Sequence, residues 1–244
     1  MQLITLNTWG SRIKDIYEFV KKHSHSTDVF CFQEVYLSVP LSNLDSTEED
    51  RDSFKAFESL LPDFTGYFCA QADGSGMAVF VKKKYLVTHV KSTQVLSVDE
   101  MKNISNGEIT FNRLVQTVSL NNPKITIYNF HGMPGDKKRD NPERDLQNKR
   151  LMEVLNADSG LKVLVGDFNL NPDTKTIKDL ESTMQNPLNG SGFKTTRSRH
   201  YINIDELPFA DYVFLSSSIT IGEFKVLPDE ISDHLALQVN FDVR

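Results

Sequence analysis

Several apolar runs in this 244-residue chain stop abruptly on a side chain that can bind a cation or move a proton. Leu6 leads into Asn7, Phe32 into Gln33-Glu34, Val165 into Gly166-Asp167-Phe168-Asn169, and Ile231 into Ser232-Asp233-His234. A further run, Ile125 to Phe130, ends on His131, and the segment Phe209 to Phe214 encloses Asp211. Strand ends are where layered folds assemble sites, so polar groups placed there by different strands can meet in one cleft. Glu34 and Asp233 offer oxygen ligands suited to a hard divalent cation. The lack of paired cysteines and of His-x-x-x-His argues against zinc. Asp211 can orient and charge His234, Asp167 can take a proton from water, and Asn169 can hold that water or donate to a phosphate oxygen. A cation, a base and hydrogen-bond donors together are what hydrolysis of a phosphate ester requires.

Taken singly, each of these residues has a plainer reading. Asn7 can be a turn residue, Glu34 a solvated strand end, Gly166 to Asn169 an ordinary turn, and Ser232-Asp233 a loop. The signal lies in the ordered set. Four other histidines serve as controls: His23 and His25 at the polar end of a helix, His89 in a strand with no acidic neighbours, and His200 in the basic run Arg197-Ser198-Arg199-His200. None of the four has the setting of His131 and His234, which remain the catalytic candidates.

The elements that must carry these residues alternate between strand and helix patterns. Strands are expected over Gln2 to Thr8, Asp28 to Phe32, Phe64 to Ala70, Gly76 to Lys82, Tyr85 to Val90, Arg113 to Leu120, Lys124 to His131, Leu161 to Val165, Ala210 to Leu215, Ile219 to Leu227 and Leu235 to Phe241. Helical spacing marks Ile13, Ile16, Tyr17 and Val20, then Phe54, Phe57 and Leu61 before Pro62, then Leu151, Val154 and Leu155, then Ile177, Leu180 and Met184. Turn residues stand at Asp73-Gly74 and Asn121-Asn122-Pro123, a charged loop spans Asp136 to Asp145, and polar loops fall near 37–52 and 99–112. There is no repeat or linker. The expectation is an α/β fold in one domain, 1–244, with two mixed β-sheets packed face to face and helices outside.

Composition fits a globular chain, with 39% hydrophobic and 25% charged residues. The net charge of −6, from 27 Lys plus Arg against 33 Asp plus Glu, argues against a broad nucleic-acid-coating surface but leaves room for a local basic patch. Cys31 and Cys69 sit in apolar runs and read as buried, reduced thiols. No apolar run approaches a membrane span, and no signal peptide precedes the first strand, which points to the cytoplasm, with a trimmed leader as the alternative.

Six short pieces in order, Leu-Asn-Thr-Trp, Phe-Gln-Glu-Val, Asn-Phe-His-Gly, Val-Gly-Asp-Phe-Asn, Ala-Asp-Tyr-Val-Phe and Ser-Asp-His, resemble the endonuclease/exonuclease/phosphatase superfamily nearly end to end. That resemblance implies a four-layer, DNase I-like α/β-sandwich. It implies that Glu34 binds Mg²⁺, or Mn²⁺ in its place, with Asn7 and Asp233 close to the metal. Asp167 and Asn169 would position or activate the water, His234 with Asp211 would contact the phosphate, and His131 would lie beside the scissile group. One departure stands out. Secreted pancreatic-type deoxyribonucleases pair the histidine matching His131 with a glutamate on a nearby strand, whereas Gly74 to Phe80 holds no acid here.

The resemblance does not choose a substrate. A phosphodiester in nucleic acid or a nucleic-acid adduct is the leading expectation, with Lys138, Arg139, Arg197 and Arg199 as groove-lining cations beside Lys137 and Arg144. The plain alternative is that Asp136, Asp140, Glu143 and Asp145 neutralise the first group in a solvated loop. Leu-Asn-Thr-Trp-Gly and the 74–80 stretch are similar to neutral sphingomyelinases, and the overall spacing resembles the tyrosyl-DNA phosphodiesterase branch. A lipid phosphodiesterase or inositol-phosphate phosphatase is therefore the alternative function, and a binding module without catalysis a third.

Overall fold

The computed structural model describes residues 1–40, 42, 46–71, 75–100, 112–135 and 137–243. The turn expected at Asp73-Gly74, Asp136 of the charged loop, a few residues of the polar loop near 37–52 and most of that near 99–112 lie outside the described residues.

Among the described residues, twelve strands form two six-stranded sheets. The first contains β1 (Gln2–Asn7), β2 (Val29–Tyr36), β3 (Phe64–Ala70), β4 (Ser75–Lys82), β11 (Thr220–Val226) and β12 (Leu237–Asp242), in the order β11-β12-β1-β2-β4-β3. The second contains β5 (Val87–Leu96), β6 (Arg113–Leu120), β7 (Ile125–His131), β8 (Leu161–Asp167), β9 (Met184–Gln185) and β10 (Asp211–Ser216), in the order β5-β6-β7-β8-β10-β9. Each sheet is mixed, with one parallel pair at its centre, β1–β2 and β7–β8. Parallel neighbours need a crossover. Helix α1 (Asp15–His23) joins the first pair and α3 (Pro142–Asn156) the second, while α2 (Ser53–Leu60) and α4 (Lys175–Glu181) flank the same outer faces. Asn141 caps α3 by accepting from Arg144 N at 2.8 Å, and Pro142 takes the first helical position, where its missing N–H costs nothing.

Three apolar layers hold the four structural layers together. Between the sheets lie mostly aliphatic side chains, including Leu3, Val29, Val79, Val118, Ile127, Val163, Val213 and Val239. Outside the first sheet the core turns aromatic, with Phe30, Phe32 and Phe80 of the strands meeting α1 and Phe54 and Phe57 of α2. Outside the second, Tyr128, Phe130, Leu164 and Tyr212 meet Leu151, Leu155, Ile177 and Leu180. The apolar run Val163 to Val165 that follows Lys162 arises from this: Val163 and Val165 point between the sheets and Leu164 points to the helices. Burying each such side chain is worth about 1.5–3 kcal/mol, against ~0–1 kcal/mol for a surface ion pair, so burial dominates.

A polar chain crosses the apolar middle. Gln33 donates to Asn129 Oδ1 at 2.7 Å and to Thr5 Oγ1 at 3.1 Å, and Asn129 Nδ2 donates to Phe32 O at 3.0 Å and to Gln116 Oε1 at 3.3 Å. These amides tie the sheets together just beneath Glu34 and His131.

Some sequence expectations change. Met184 does not continue the helix of Ile177 and Leu180; α4 stops at Glu181 and Met184 enters β9, paired with Ser216. Strand β5 runs on to Leu96 through a largely exposed polar stretch, because pairing with β6 rather than burial sustains an edge strand. His23 is only half-exposed, its ring 4.4 Å from that of Phe19, while His25, His89 and His200 are exposed. Cys31 and Cys69 are buried and free. No described helix is long and apolar enough to cross a membrane.

Candidate active site

The two parallel pairs end on the same side of the molecule. Asn7 pairs with Gln33 at the end of β1–β2, and His131 with Asp167 at the end of β7–β8, while Asp211 opens antiparallel β10 opposite Asp167. The backbones there are unusually close. A Cβ at Gly166 would fall 2.0 Å from Phe130 O, and its φ of +133° lies where glycine is favoured. Glu34 is the extra residue of a β-bulge, with φ +55°, so it leaves the ladder between Gln33 and Val35. A left-handed residue other than glycine costs about 1–2 kcal/mol. Thr8 offsets this by donating its hydroxyl to Glu34 O at 2.8 Å. Asn169, at φ +54°, closes a side-chain turn in which its N–H donates to Asp167 Oδ1 at 2.8 Å.

Asn7 joins the two sheets at the site. Its Nδ2 donates to Glu34 Oε1 at 2.9 Å and to Asp167 Oδ2 at 3.0 Å, and its Oδ1 accepts from Trp9 N at 3.0 Å. Ser232 Oγ donates to Asn7 O at 2.7 Å and so anchors the Asp233-His234 loop to β1. His234 Nδ1 lies 2.9 Å from both Asp211 oxygens, and Thr196 Oγ1 donates to Asp211 Oδ2 at 3.0 Å. Arg197 Nη1 contacts His234 Nε2 and donates to Asp233 Oδ2 at 3.1 Å. His131 Nε2 sits 3.8 Å from Glu34 Oε1 and 3.7 Å from Asp167 Oδ2, beyond hydrogen-bond length.

These groups set one another's charge. Burial and then the Arg113 guanidinium push His131 down to about 3, so it is neutral at pH 7. Burial and Arg197 also disfavour the charged form of His234, yet Asp211, Asp233 and Asp167 outweigh them and its pKa is raised. Arg197 Nη1 and His234 Nε2 face each other at one point of the cleft. An anion arriving between them would draw both as donors and favour the cationic ring that the carboxylates support. Burial would raise the Asp167 carboxyl, but His234, Arg197, His131 and Lys138 hold it far below the carboxylate range. Glu34 is raised by burial and by Asp233.

The cluster floors a cleft of about 840 Å³ whose walls include Arg12, Arg113, Lys138, Arg197, Trp9 and Tyr201. The profile of the Endonuclease/Exonuclease/phosphatase family matches residues 4–234, nearly the whole chain. The chain belongs to this family. As an endonuclease/exonuclease/phosphatase superfamily phosphoesterase it falls among hydrolases, in a family that generally uses divalent metals. No curated protein sequence matches it. Among solved structures it is similar to an endonuclease/exonuclease/phosphatase from Bacteroides vulgatus, at 14% identity and TM-score 0.73 over 100% of this chain and 98% of that one. The Bacteroides thetaiotaomicron mannosyl-6-phosphatase Bt3783 gives 15% identity and TM-score 0.73 over 100% of both chains. A D. rerio TDP2 humanized by 14 mutations gives 13% identity and TM-score 0.69 over 100% of this chain and 99% of that one. Identities this low show the shared DNase I-like fold.

Asn7, Glu34, His131, Asp167, Asn169, Asp211, Asp233 and His234 are brought to one end of the sandwich. Of the expected substrate cations, Lys138 and Arg197 line the cleft and are buried. Lys138 Nζ donates to Phe209 O at 3.2 Å and lies 4.8 Å over the Tyr201 ring, with Arg197 4.1 Å from the same ring. Arg139 and Arg199 point away: Arg139 pairs with Asp173, and Arg199, its side chain 76% exposed, pairs with Glu230 at 2.6 Å. Arg144 is a buried strut, donating Nη2 to Met133 O at 3.2 Å and to Asn169 O at 3.1 Å. Arg12, Arg113 and Tyr201 had no role in the sequence reading. Arg113 begins an apolar strand, the same polar-next-to-apolar signal as Asn7, placed at the strand's start rather than its end.

The carboxylates suit a divalent cation. Asp167, Asp211 and His234 each bring a ligand-type atom to within 4.8 Å of the others. His234 and Asp211 satisfy each other, however, which leaves Glu34, Asp167 and Asp233 as the available oxygens. Burial and then Asp233 raise the Glu34 pKa, and a hard cation between these oxygens would relieve the repulsion among them.

Proposed function

We propose that the chain hydrolyses a phosphodiester in nucleic acid or a nucleic-acid adduct, with Mg²⁺ or Mn²⁺ held by Glu34 and Asp233 beside Asn7. The observation behind this reading is the single cleft in which crowded carboxylates, a neutral histidine, a carboxylate-paired histidine and four cationic side chains converge. A bound divalent ion would supply charge for the phosphoryl oxygens and a more acidic water. Asp167, fixed by Asn7 and Asn169, holds the attacking water and takes its proton. Its low pKa makes it a weak acceptor, and the neutral imidazole of His131 beside it is the competing one. His234 and Arg197 donate to a phosphate oxygen, drawn there by its growing charge. Trp9, Tyr36 and Tyr201 offer aromatic faces beside the phosphate-binding cations, as single-stranded nucleic acid requires.

A compact phosphomonoester, such as an inositol phosphate, is the second reading. It is favoured by Arg139 and Arg199, which are paired outside the cleft and so do not extend the basic surface along a groove. Activity should vanish with chelator, return with Mg²⁺ or Mn²⁺, and be lost in Glu34→Gln. A panel of single-stranded DNA, 5′-adducted DNA, RNA, sphingomyelin and inositol phosphates separates the substrates. Full turnover in chelator would sink the metal, and turnover of inositol phosphate alone would install the second reading.

A further inference from the structure

Three consecutive residues just after Asn7 hold positive φ: Trp9 at +51°, Gly10 at +62° and Ser11 at +56°. Left-handed backbone is disfavoured for L side chains and an outlier for bulky ones. It persists where surrounding contacts over-determine it. Here they do. Trp9 N donates to Asn7 Oδ1 at 3.0 Å, Ser11 N to Thr8 O at 2.8 Å, and Asp50 N to Gly10 O at 2.8 Å. Gly10 is required as well, since a Cβ there would meet Glu49 Cγ at 2.9 Å and Tyr36 at 3.1 Å.

The turn fixes the place of an indole two residues from Asn7. Arg12 lies 4.7 Å over that ring and is held by Glu49 Oε1 through Nε at 3.1 Å and Nη2 at 2.5 Å. Trp9 is only half-buried and lines the cleft with Glu34, Asp167 and His234. An aromatic side chain adds most to stability when it packs within an apolar core. Among the described residues this one joins no apolar cluster, its ring contact being the Arg12 guanidinium. The positive-φ turn thus sets the indole in the wall of the cleft.

We propose that Trp9 is a stacking platform for a planar aromatic ring attached near the scissile phosphate, so that the cleft prefers esters bearing a nucleobase or a phenol over those bearing a polyol or a lipid headgroup. This rests on the phosphoesterase reading and names the part of the substrate beyond the phosphate. Stacking on aromatic side chains tolerates any flat ring, so the preference is for planarity rather than for one base.

Trp9 is the only tryptophan in the chain, so its fluorescence reports on the platform directly. The intact protein with Mg²⁺ is titrated with adenosine 5′-monophosphate against ribose 5-phosphate, and with phosphotyrosine against phosphoserine. The ring-bearing member of a pair should quench Trp9 and bind about ten-fold tighter or more. Quenching in one pair alone identifies that ring as the source. Equal affinity and equal fluorescence in both pairs overturn the proposal. In turnover, Trp9→Leu should collapse the KM ratio between ring-free and ring-bearing esters, and Trp9→Phe should restore most of it. An unchanged ratio in Trp9→Leu also overturns it, and if that variant does not fold, the wild-type fluorescence decides alone. Quenching without hydrolysis of any ester would remove the phosphoesterase reading and keep the platform. Hydrolysis with no ring preference would do the reverse.

Discussion

His131 and His234 are both buried and lie nearly equidistant from Asp167 Oδ2, at 3.7 and 3.6 Å. Burial disfavours the charged form of each. Their neighbours push them apart: Arg113 reinforces burial at His131, whereas Asp211, against His234 at 2.9 Å, leads the carboxylates that overcome it. At His131 burial and Arg113 outweigh the pull of Asp167, whereas at His234 three carboxylates together outweigh burial and Arg197. One cleft thus holds a neutral imidazole on the β7 side and a carboxylate-supported imidazole on the β10 side, which suits them to different tasks.

The largest expected effect tests which group receives the proton. Asp167→Asn should lower turnover by roughly 10²–10⁴-fold with binding kept, the range for general acid–base help, while His131→Gln should cost less. Steady-state kinetics on both variants decide it. A nearly wild-type Asp167→Asn beside a dead His131→Gln would move the base to His131 and reverse the comparison.

Removing the support of His234 should cost less. Asp211→Asn should slow turnover by about 10–100-fold, as for partners that orient a working group. The raised pKa of His234 keeps its cation to higher pH. Loss of Asp211 lowers that pKa, so the cation disappears sooner and the alkaline limb of the rate profile moves to lower pH. A limb that stays in place would mean that Asp211 does not set the charge of His234.

The smallest effect separates His234 from Lys138 as the origin of that limb. Burial, then Arg197, pushes Lys138 down to about 8, so its charge is present below pH 8 and lost above it. Lys138→Arg should alter kcat/KM only a few-fold at pH 7 but extend activity to higher pH, because arginine keeps its proton. An unmoved limb assigns it to His234. Arg199→Ala, two positions from Arg197 but exposed, is the control and should shift stability by no more than about 0.5 kcal/mol.

Much of the fold was legible because an apolar run at period two or 3.6 is a local pattern. Its errors fell where pairing, not burial, sustains an element. Polar β5 outran its apolar part, and two-residue β9 carries too little pattern to be told from the end of α4. The placement of the candidate residues was legible for the same reason as the strands: Asn7, His131 and Asp167 each end an apolar run, and parallel neighbours bring such ends together.

Which chemical groups stand at which strand ends follows from residue order within each element. What those groups face follows instead from how the sheets and loops pack. Lys138 turns inward at φ +46° while neighbouring Arg139 reaches Asp173 at the surface, and Arg197 and Arg199 part in the same way. Glu34 enters the cleft because a bulge displaces it from the ladder, and Asn7 reaches Asp167, 160 residues away, because two sheets meet there. The opposite pulls on His131 and His234 arise from Arg113 and Asp211, partners distant in sequence. Charge states and side-chain directions depend on through-space neighbours at a few ångströms, and chain order does not specify those until the sheets have packed.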